Sequence, residues 1–338
     1  MASGRDRPRT SRTIRRRRLS AVLAVAGIAT LGVSLARGGS PVAKPIERAR
    51  FHAPSRSASA TATSDTRAPR ARRQPRTAHL RVSASSSAPA DWTTVAWVDG
   101  QPAASLEQSS GVTLMRFDQG LVHLTLHAGS SDGGVSGWTY GDQITPREIH
   151  LVVAAFNGGF KLTYTDVGFA SGGHTAVALK PGLASIVTYT DGTSNIGTWG
   201  NGVPSRRKPV FSVLQNQRLL VDRGVAAATV TSCILACWGA TIAHLTVVAR
   251  SALGITAAGQ LLWAAGEQLT PATLAAALVS AGAVRAIELD INPDWVDGYL
   301  YVHHPTGPVA APLVPGQRGI AGEFLAPYSR DFLVVVAN

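Results

Sequence analysis

The amino-acid sequence changes character near residue 90, and this boundary decides which part of the chain can fold. Residues 37–90 are rich in Ala, Pro, Ser, Thr and Arg, with almost no aromatic residues and no apolar period. Such a segment cannot bury enough apolar surface to offset the entropy that is lost on ordering. We therefore predict a disordered basic tether over residues 37–90 and one folded domain over residues 91–338.

The positive charge of the chain divides at the same boundary. The 338 residues carry a formal net charge of +12. Residues 1–90 contain 19 Lys and Arg against 3 Asp and Glu, whereas residues 91–338 contain 13 against 17. The predicted domain is thus mildly acidic. Because a nucleic-acid-binding domain needs a basic face, no nucleic-acid partner is expected.

Residues 1–36 have the pattern of an export signal or a membrane anchor. Four arginines at 15–18 precede an uncharged apolar segment from Leu19 to Leu35. This order is typical of a signal peptide, and the segment is close to the roughly 20 residues that a membrane-spanning helix needs. Cleavage near Ala36 predicts a secreted protein. Without cleavage, residues 19–36 anchor the chain, and the basic residues keep the N-terminus in the cytoplasm.

The basic tether at 37–90 has two interpretations. It provides reach from the membrane, or it also contacts anionic lipid or wall polymer through its arginines. Either interpretation places the domain over residues 91–338 outside the cytoplasm.

From residue 91 onward, strand and hairpin signals dominate. Apolar runs at 112–117 and 121–126, at 185–190 and 194–199, and at 244–256 and 260–265 each flank a short turn with Gly. One amphipathic helix is predicted after Thr270, a suitable N-cap, with Pro271 in its first turn and Gly282 at its end. Residues 260–290 then read strand, helix, strand. The pattern predicts an α+β fold: a sheet-rich single domain with several hairpins.

Cys233 and Cys237 are the only cysteines of the chain. Two thiols in an exported domain are compatible with one disulfide, and two buried thiols are the alternative. The histidines show no recognised metal-ligand spacing, so no metal site is predicted. The sequence indicates no particular cofactor.

The turn Asn157-Gly158-Gly159 ends a strongly apolar run, and Lys161 follows shortly after it. Two glycines allow a ligand to approach the backbone closely, and successive N–H groups in such a turn can bind an anion. Lys161 adds positive charge. We expect an anion-binding turn here, with a plain tight turn between strands as the alternative. His174, after a second pair of glycines, is a further binding candidate.

Glu288 and Asp290 lie two residues apart in a predicted strand, so their side chains share a face. Neighbouring carboxyls shift each other's pKa, and such a pair can supply an acid and a base. Alternatively, the two carboxyls lie at a solvated strand end, or Arg250 and Arg285 hold them in structural ion pairs. Arg250 lies in an apolar run, where an unpaired charge is costly. Its guanidinium either binds a phosphate or pairs with Asp290.

Three segments, taken in order, resemble the phosphodiester glycosidase family. They are residues 155–160 (AFNGGF), 219–224 (LLVDRG) and 250–256 (RSALGIT), the last with the hairpin, helix and Asp290 strand behind it. The resemblance covers most of residues 110–300. It implies hydrolysis of a sugar-1-phosphodiester in glycan or cell-envelope material, with Asn157, Arg250 and Asp290 in the site.

The residues after Asp290 depart from that family, which usually has a run of glycines and serine there. Here Ile291, Asn292 and Pro293 follow, and proline fixes φ and removes a donor. Asn292 is the polar candidate that remains for substrate binding. Two expectations follow: a hydrolase acting on a glycan or sugar phosphate, or a non-catalytic module that binds envelope glycan or polymer on the same fold.

Overall fold

The computed structural model describes residues 81–82, 92–133 and 137–338. Strands account for 47% of these residues and helices for 11%. The α+β prediction is therefore wrong, because the described chain is mainly β. A capped apolar stripe long enough for several helical turns occurs in the described ranges only after Thr270, and the other apolar runs pair as strands.

The predicted leader and anchor at residues 1–36 lie outside the described residues, as does the tether except for Arg81 and Val82. Within the described ranges, none of the helices is long and apolar enough to span a bilayer.

The described ranges contain twenty strands, four α-helices and two 3-10 turns. The strands are β1 (Arg81–Val82), β2 (Thr93–Val98), β3 (Gln101–Ser109), β4 (Val112–Phe117), β5 (Val122–His127), β6 (Val152–Asn157), β7 (Phe169–Ser171), β8 (His174–Val177), β9 (Ala184–Tyr189), β10 (Ser194–Trp199), β11 (Gly202–Val203), β12 (Val210–Asn216), β13 (Leu219–Asp222), β14 (Val225–Ala226), β15 (Val248–Thr256), β16 (Leu261–Leu269), β17 (Ala283–Ile291), β18 (Gly298–His304), β19 (Gly307–Pro312) and β20 (Phe332–Ala337). The helices are α1 (Leu162–Thr165), α2 (Thr229–Ser232), α3 (Ile234–Cys237) and α4 (Pro271–Ser280), and the 3-10 turns are Ile242–His244 and Glu323–Leu325.

These strands form three sheets. The nine-stranded sheet has the order β1-β2-β3-β4-β16-β15-β17-β13-β14. The six-stranded sheet has the order β11-β10-β9-β12-β7-β8, and the five-stranded sheet β19-β18-β6-β20-β5. Neighbouring strands run antiparallel except β10 and β11, which are parallel. Buried apolar residues from all three sheets pack in one large core cluster.

Two of the three predicted hairpins are confirmed. Strands β9 and β10 pair across the turn at 190–193, and β15 pairs with β16. The hairpin predicted over 112–126 is wrong, because β4 belongs to the nine-stranded sheet and β5 to the five-stranded sheet. The turn at 118–121 thus carries the chain from one sheet to another.

The unit β16–α4–β17 has the predicted strand-helix-strand order. Thr270 caps α4 through a reciprocal pair of hydrogen bonds with Thr273, and Pro271 occupies the first turn. Leu274 and Leu278 are fully buried against the nine-stranded sheet. Strands β16 and β17 both run antiparallel to β15, which lies between them. They are therefore parallel to each other. Asp290 and Ile291, at the end of β17, lie beside the start of β15.

Candidate functional site

The candidate site lies where β17 of the nine-stranded sheet meets β6 and β20 of the five-stranded sheet. The Asp290 N–H donates to the Gly158 carbonyl (2.9 Å) and so links the end of β17 to the turn after β6. Arg330 and Asp331 reach the same place from the residues just before β20. Three distant parts of the chain are thereby joined at one point.

Arg330 is the centre of this arrangement. Its Nη2 forms a salt bridge with Asp290 Oδ2 (2.7 Å) and donates to the Gly159 carbonyl (3.2 Å), and its Nε binds Asp132. Its guanidinium also lies 4.8 Å from the centre of the half-buried Trp295 ring. Burial alone lowers the pKa of Arg330, but the surrounding carboxylates outweigh it and the pKa is raised. Arg330 is therefore a permanently charged cation.

Asp290 is buried but keeps some access to solvent. Burial raises its pKa, the Arg330 guanidinium and the Ile291 N–H (2.8 Å) oppose this, and the pKa settles at about 7. The side chain of Asp290 keeps 10% of its accessible surface. A carboxyl with these properties can take up or release a proton near neutral pH, where general acid–base groups work best.

The glycine turn already holds a carboxyl group, the side chain of Asp331. The Gly159 N–H donates to Asp331 Oδ2 (2.8 Å), and the Gly158 N–H donates to the Asp331 carbonyl (3.0 Å). A Cβ at Gly158 would lie 1.9 Å from Asp331 Oδ2, so only glycine fits. Burial raises the Asp331 pKa to about 7, although the Gly159 N–H and Arg330 lower it. The backbone donors expected to bind a substrate anion are occupied by the protein itself.

Arg250 and Glu288 form a second pair behind the first, sealed from solvent. Arg250 Nη1 donates to Glu288 Oε1 (2.7 Å) and to the Trp238 carbonyl (3.1 Å), and Nε donates to the Leu269 carbonyl (3.2 Å). Burial raises the Glu288 pKa to about 7, although Arg250 lowers it. Arg250 therefore pairs with Glu288 and not with Asp290.

Asn157 connects the strands that carry the two pairs. Its Nδ2 donates to Ser251 Oγ (2.9 Å) and to the Gly158 carbonyl (3.0 Å), and Ser251 Oγ donates to the Asp290 carbonyl (3.0 Å). Asn157 is buried, and its Oδ1 has no hydrogen-bond partner among the described residues. The amide thus fixes the backbone of Asp290 relative to the glycine turn.

The other predicted binding residues lie farther out. Asn292 adopts φ 77°, and its Oδ1 accepts a hydrogen bond from the Ile242 N–H (3.0 Å). Lys161 places its ammonium 4.9 Å from the Tyr164 ring. His174 is exposed on β8 of the six-stranded sheet, 5.7 Å from the Trp138 ring. The structure therefore brings together Asn157, the two glycines and Asp290, and leaves Lys161 and His174 outside their hydrogen bonds.

Cys233 and Cys237 form a disulfide with an S–S distance of 2.05 Å. Among the residues that the structure describes, no group of three or more His, Cys, Asp and Glu side chains is arranged to hold a metal ion.

The sequence alone does not single out Arg330, Asp331 or Asp132. Arg330 and Asp132 are 198 residues apart, and neither lies in a recognised motif. One signal was present: Arg330 and Asp331 directly precede a continuous apolar strand, where buried charges are costly unless they are paired. The same reasoning that identified Arg250 therefore applies to Arg330.

Fold and site together define a mainly antiparallel β domain with a buried carboxyl–arginine centre. No protein-family profile and no curated protein matches the sequence. Solved structures with similarity include the catalytic domain of zebrafish N-acetylglucosamine-1-phosphodiester alpha-N-acetylglucosaminidase, auto-inhibited by its pro-peptide, at 14% identity and TM-score 0.41, covering 78% of this chain and 88% of that one. A hypothetical protein from Synechocystis has the same identity and TM-score, with 78% and 69% covered. A Burkholderia pseudomallei protein described as exported has 11% identity and TM-score 0.32, with 70% and 75% covered.

Proposed function

We propose that the domain is an exported hydrolase of the phosphodiester glycosidase type, which cleaves a sugar-1-phosphodiester in glycan or cell-envelope material. The observation that carries this proposal is the Asp290–Arg330 pair. Asp290 has a pKa of about 7 and is partly accessible, and Arg330 lies 2.7 Å away with a permanent positive charge. A proton-exchanging carboxyl beside a guanidinium suits a reaction that needs a base and an anion-binding group at the same place.

The proposed reaction is a substitution at the anomeric carbon, in which water replaces the phosphomonoester. Ionised Asp290 accepts a proton from that water as its oxygen bonds to the carbon. The bond between the anomeric carbon and the phosphate oxygen breaks, and the phosphomonoester leaves with the bonding electron pair. Arg330 stabilises the charge that develops on the departing phosphate, as guanidinium groups do for phosphates. The products are a free sugar and a phosphomonoester.

The surrounding residues have supporting parts in this proposal. Trp295 covers the Arg330 guanidinium and offers an indole beside Asp290 for contact with the apolar face of a sugar. Asn157 and Ser251 hold the Asp290 main chain in place. Arg250 and Glu288 are sealed from solvent, so we assign them to positioning β17 and not to substrate contact.

The test is to incubate the full-length protein with a panel of sugar-1-phosphodiesters that includes nucleotide sugars, and to measure free sugar and phosphomonoester. Asp290→Asn should lower kcat/KM by about 10²- to 10⁴-fold, the usual contribution of a general base. Asp222→Asn is the matched control, because Asp222 is exposed near the far edge of the nine-stranded sheet. Thermal unfolding of both variants verifies the fold. Full activity in Asp290→Asn would refute the assignment.

A second candidate function, a non-catalytic module that binds envelope glycan or polymer, is favoured by one observation. The N–H groups of Gly158 and Gly159 are occupied by Asp331 and not free for a substrate phosphate. This alternative expects glycan binding by the wild-type protein without any product across the whole panel.

We also propose that residues 1–36 export the chain, as a cleaved signal or as an anchor through residues 19–36. The tether at 37–90 then provides reach or contacts anionic lipid or wall polymer. N-terminal sequencing of the mature protein distinguishes cleavage near Ala36 from retention.

A further inference from the structure

A short segment that follows the disulfide packs directly against the candidate site. This covering segment consists of residues 238–245. It begins at Trp238, next to Cys237, and ends just before β15. It is not part of any sheet among the described residues, yet it contacts elements that carry both carboxyl–arginine pairs.

Two hydrogen bonds and one close contact hold the covering segment in place. The Trp238 carbonyl accepts from Arg250 Nη1 (3.1 Å), and the Ile242 N–H donates to Asn292 Oδ1 (3.0 Å). Gly239 is packed so closely that an added Cβ would lie 2.7 Å from Phe160 and 2.8 Å from Ile291. Arg250 is the partner of Glu288, while Ile291 and Asn292 directly follow Asp290.

The covering segment has little regular structure of its own to keep it there. The preceding helices α2 and α3 have four residues each, and neither has a side-chain cap. Isolated helices of this length are not stable in water. The covalent link between Cys233 and Cys237 closes a loop around α3 and ends one residue before Trp238. The disulfide therefore restricts the backbone at the point where the covering segment begins.

We propose that the Cys233–Cys237 disulfide is a redox-sensitive positioning element, which in its oxidised form holds the covering segment against Arg250 and Asn292. Reduction by a dithiol transfers two electrons and two protons to the disulfide. The S–S bond breaks, two thiols form, and the dithiol becomes a disulfide. The Trp238 carbonyl and the Ile242 N–H then leave their partners more often, and the ends of β15 and β17 lose their cover. The effect on turnover rests on the proposed function, whereas the release of the covering segment does not.

The experiment is amide hydrogen exchange on the full-length protein, oxidised and treated with excess dithiothreitol. Exchange at the Ile242 and Asn292 amides should accelerate by roughly thirty-fold, the factor that loop-closure entropy gives for a closed loop of about five residues. The Asn292 amide donates to the Ala249 carbonyl (2.9 Å) beside Asp290, so it reports on the site itself. Amides of the β9–β10 hairpin serve as the internal control and should not change.

The double variant Cys233→Ser, Cys237→Ser separates loss of the disulfide from other effects of the reductant. It should exchange like the reduced wild type and show no further response to dithiothreitol. Unchanged exchange at Ile242 on reduction overturns the proposal. Faster exchange at Ile242 without any change at Asn292 overturns the positioning role.

Turnover provides a second readout on any substrate that the oxidised protein cleaves. Reduction should lower kcat with KM nearly unchanged, because Arg250 and Asn292 are then less well positioned while the substrate-facing side chains remain. Unchanged kcat in a reduced protein with fast exchange also overturns the positioning role. If the oxidised protein cleaves no substrate, the proposed hydrolase function fails, and the two amides still decide the positioning proposal.

Discussion

Replacement of Arg330 by Met tests the centre of the site most severely. Met keeps an unbranched stem and removes the guanidinium, which binds Asp290, Asp132 and the Gly159 carbonyl. Asp132 and Asp331 are fully buried, and Asp290 nearly so. The variant therefore leaves three carboxyls in a low-dielectric environment without the cation that they share.

The expected loss of stability depends on pH. The pKa values of Asp290 and Asp331 are about 7, above the ordinary value of roughly 3.9 for Asp. Groups with a raised pKa favour the folded state fully below the ordinary pKa, and this contribution is lost as the pH rises through 7. Without Arg330 their pKa values rise further. We expect the Arg330→Met variant to lose about 3–5 kcal/mol at pH 8, the cost of breaking a buried pair.

At pH 5 the same variant should lose clearly less unfolding free energy than at pH 8, because Asp290 and Asp331 are then mostly protonated. The remaining loss is that of the Asp132 pair and of the hydrogen bonds. The assay is urea unfolding of the full-length protein at both pH values. Arg318→Met is the matched control: Arg318 is exposed and pairs with Asp294, so its loss should cost about 0–1 kcal/mol. The reasoning would be refuted if Arg330→Met lowered the unfolding free energy by less than about 1 kcal/mol at pH 8, or by the same amount at both pH values.

Two further substitutions test the turn and the acid limit of stability. Gly158→Ala places a Cβ 1.9 Å from Asp331 Oδ2 and should lower the unfolding free energy by about 3 kcal/mol in urea unfolding. Gly141→Ala is the control: its Cβ would have nothing within 4 Å, so its unfolding free energy should stay within about 0.5 kcal/mol of the wild-type value. For Glu148, burial opposes ionisation, but hydrogen bonds from His127 and neighbouring Thr residues hold the pKa at about 2. This contribution to stability is present above the ordinary pKa and is lost as the pH falls towards 2. Glu148→Gln should therefore lower the unfolding free energy by up to about 3 kcal/mol at pH 6 and remove most of its decrease between pH 5 and pH 2. An unchanged acid transition in circular dichroism would contradict this.

Local signals predicted the parts of the fold that local structure determines. Thr270 and Pro271 marked the start of α4 because capping depends on neighbouring residues only. The turn at 118–121 shows the limit of such signals. It reverses the chain as predicted, but the Gln119 side chain bonds to the main chain of Ser194 (3.2 and 2.6 Å), and β5 joins another sheet. A turn motif indicates a reversal, and tertiary contacts decide which strands pair.

The candidate site divides in the same way. Asn157 was predicted from the sequence as part of a glycine turn after an apolar run, and Asp290 as one of two carboxyls on one face of a strand. The family resemblance implied both residues. Arg330, which contacts Asp290 and the Gly159 carbonyl, joins the site only through the tertiary structure. The pairing of Arg250 with Glu288 likewise depends on the register between β15 and β17, which shifts between Arg250 and Ala252. Sequence spacing alone does not reveal such an irregularity.

Strand β17 carries two carboxyls with similar raised pKa values, and solvent access separates their roles. Glu288 and Arg250 keep 3% and 0% of their side-chain surface. Among the described residues, the Glu288 carboxylate pairs only with Arg250, which also donates to the Trp238 and Leu269 carbonyls. Asp290 and Arg330 keep 10% and 7%. A ligand that contacts Asp290 and Arg330 can replace part of their mutual contact without burying a new unpaired charge. Breaking the Arg250–Glu288 pair, in contrast, would leave a buried charge without a partner. In the proposed reaction, Asp290 and Arg330 therefore contact the substrate, and the Arg250–Glu288 pair keeps strand β17 in position.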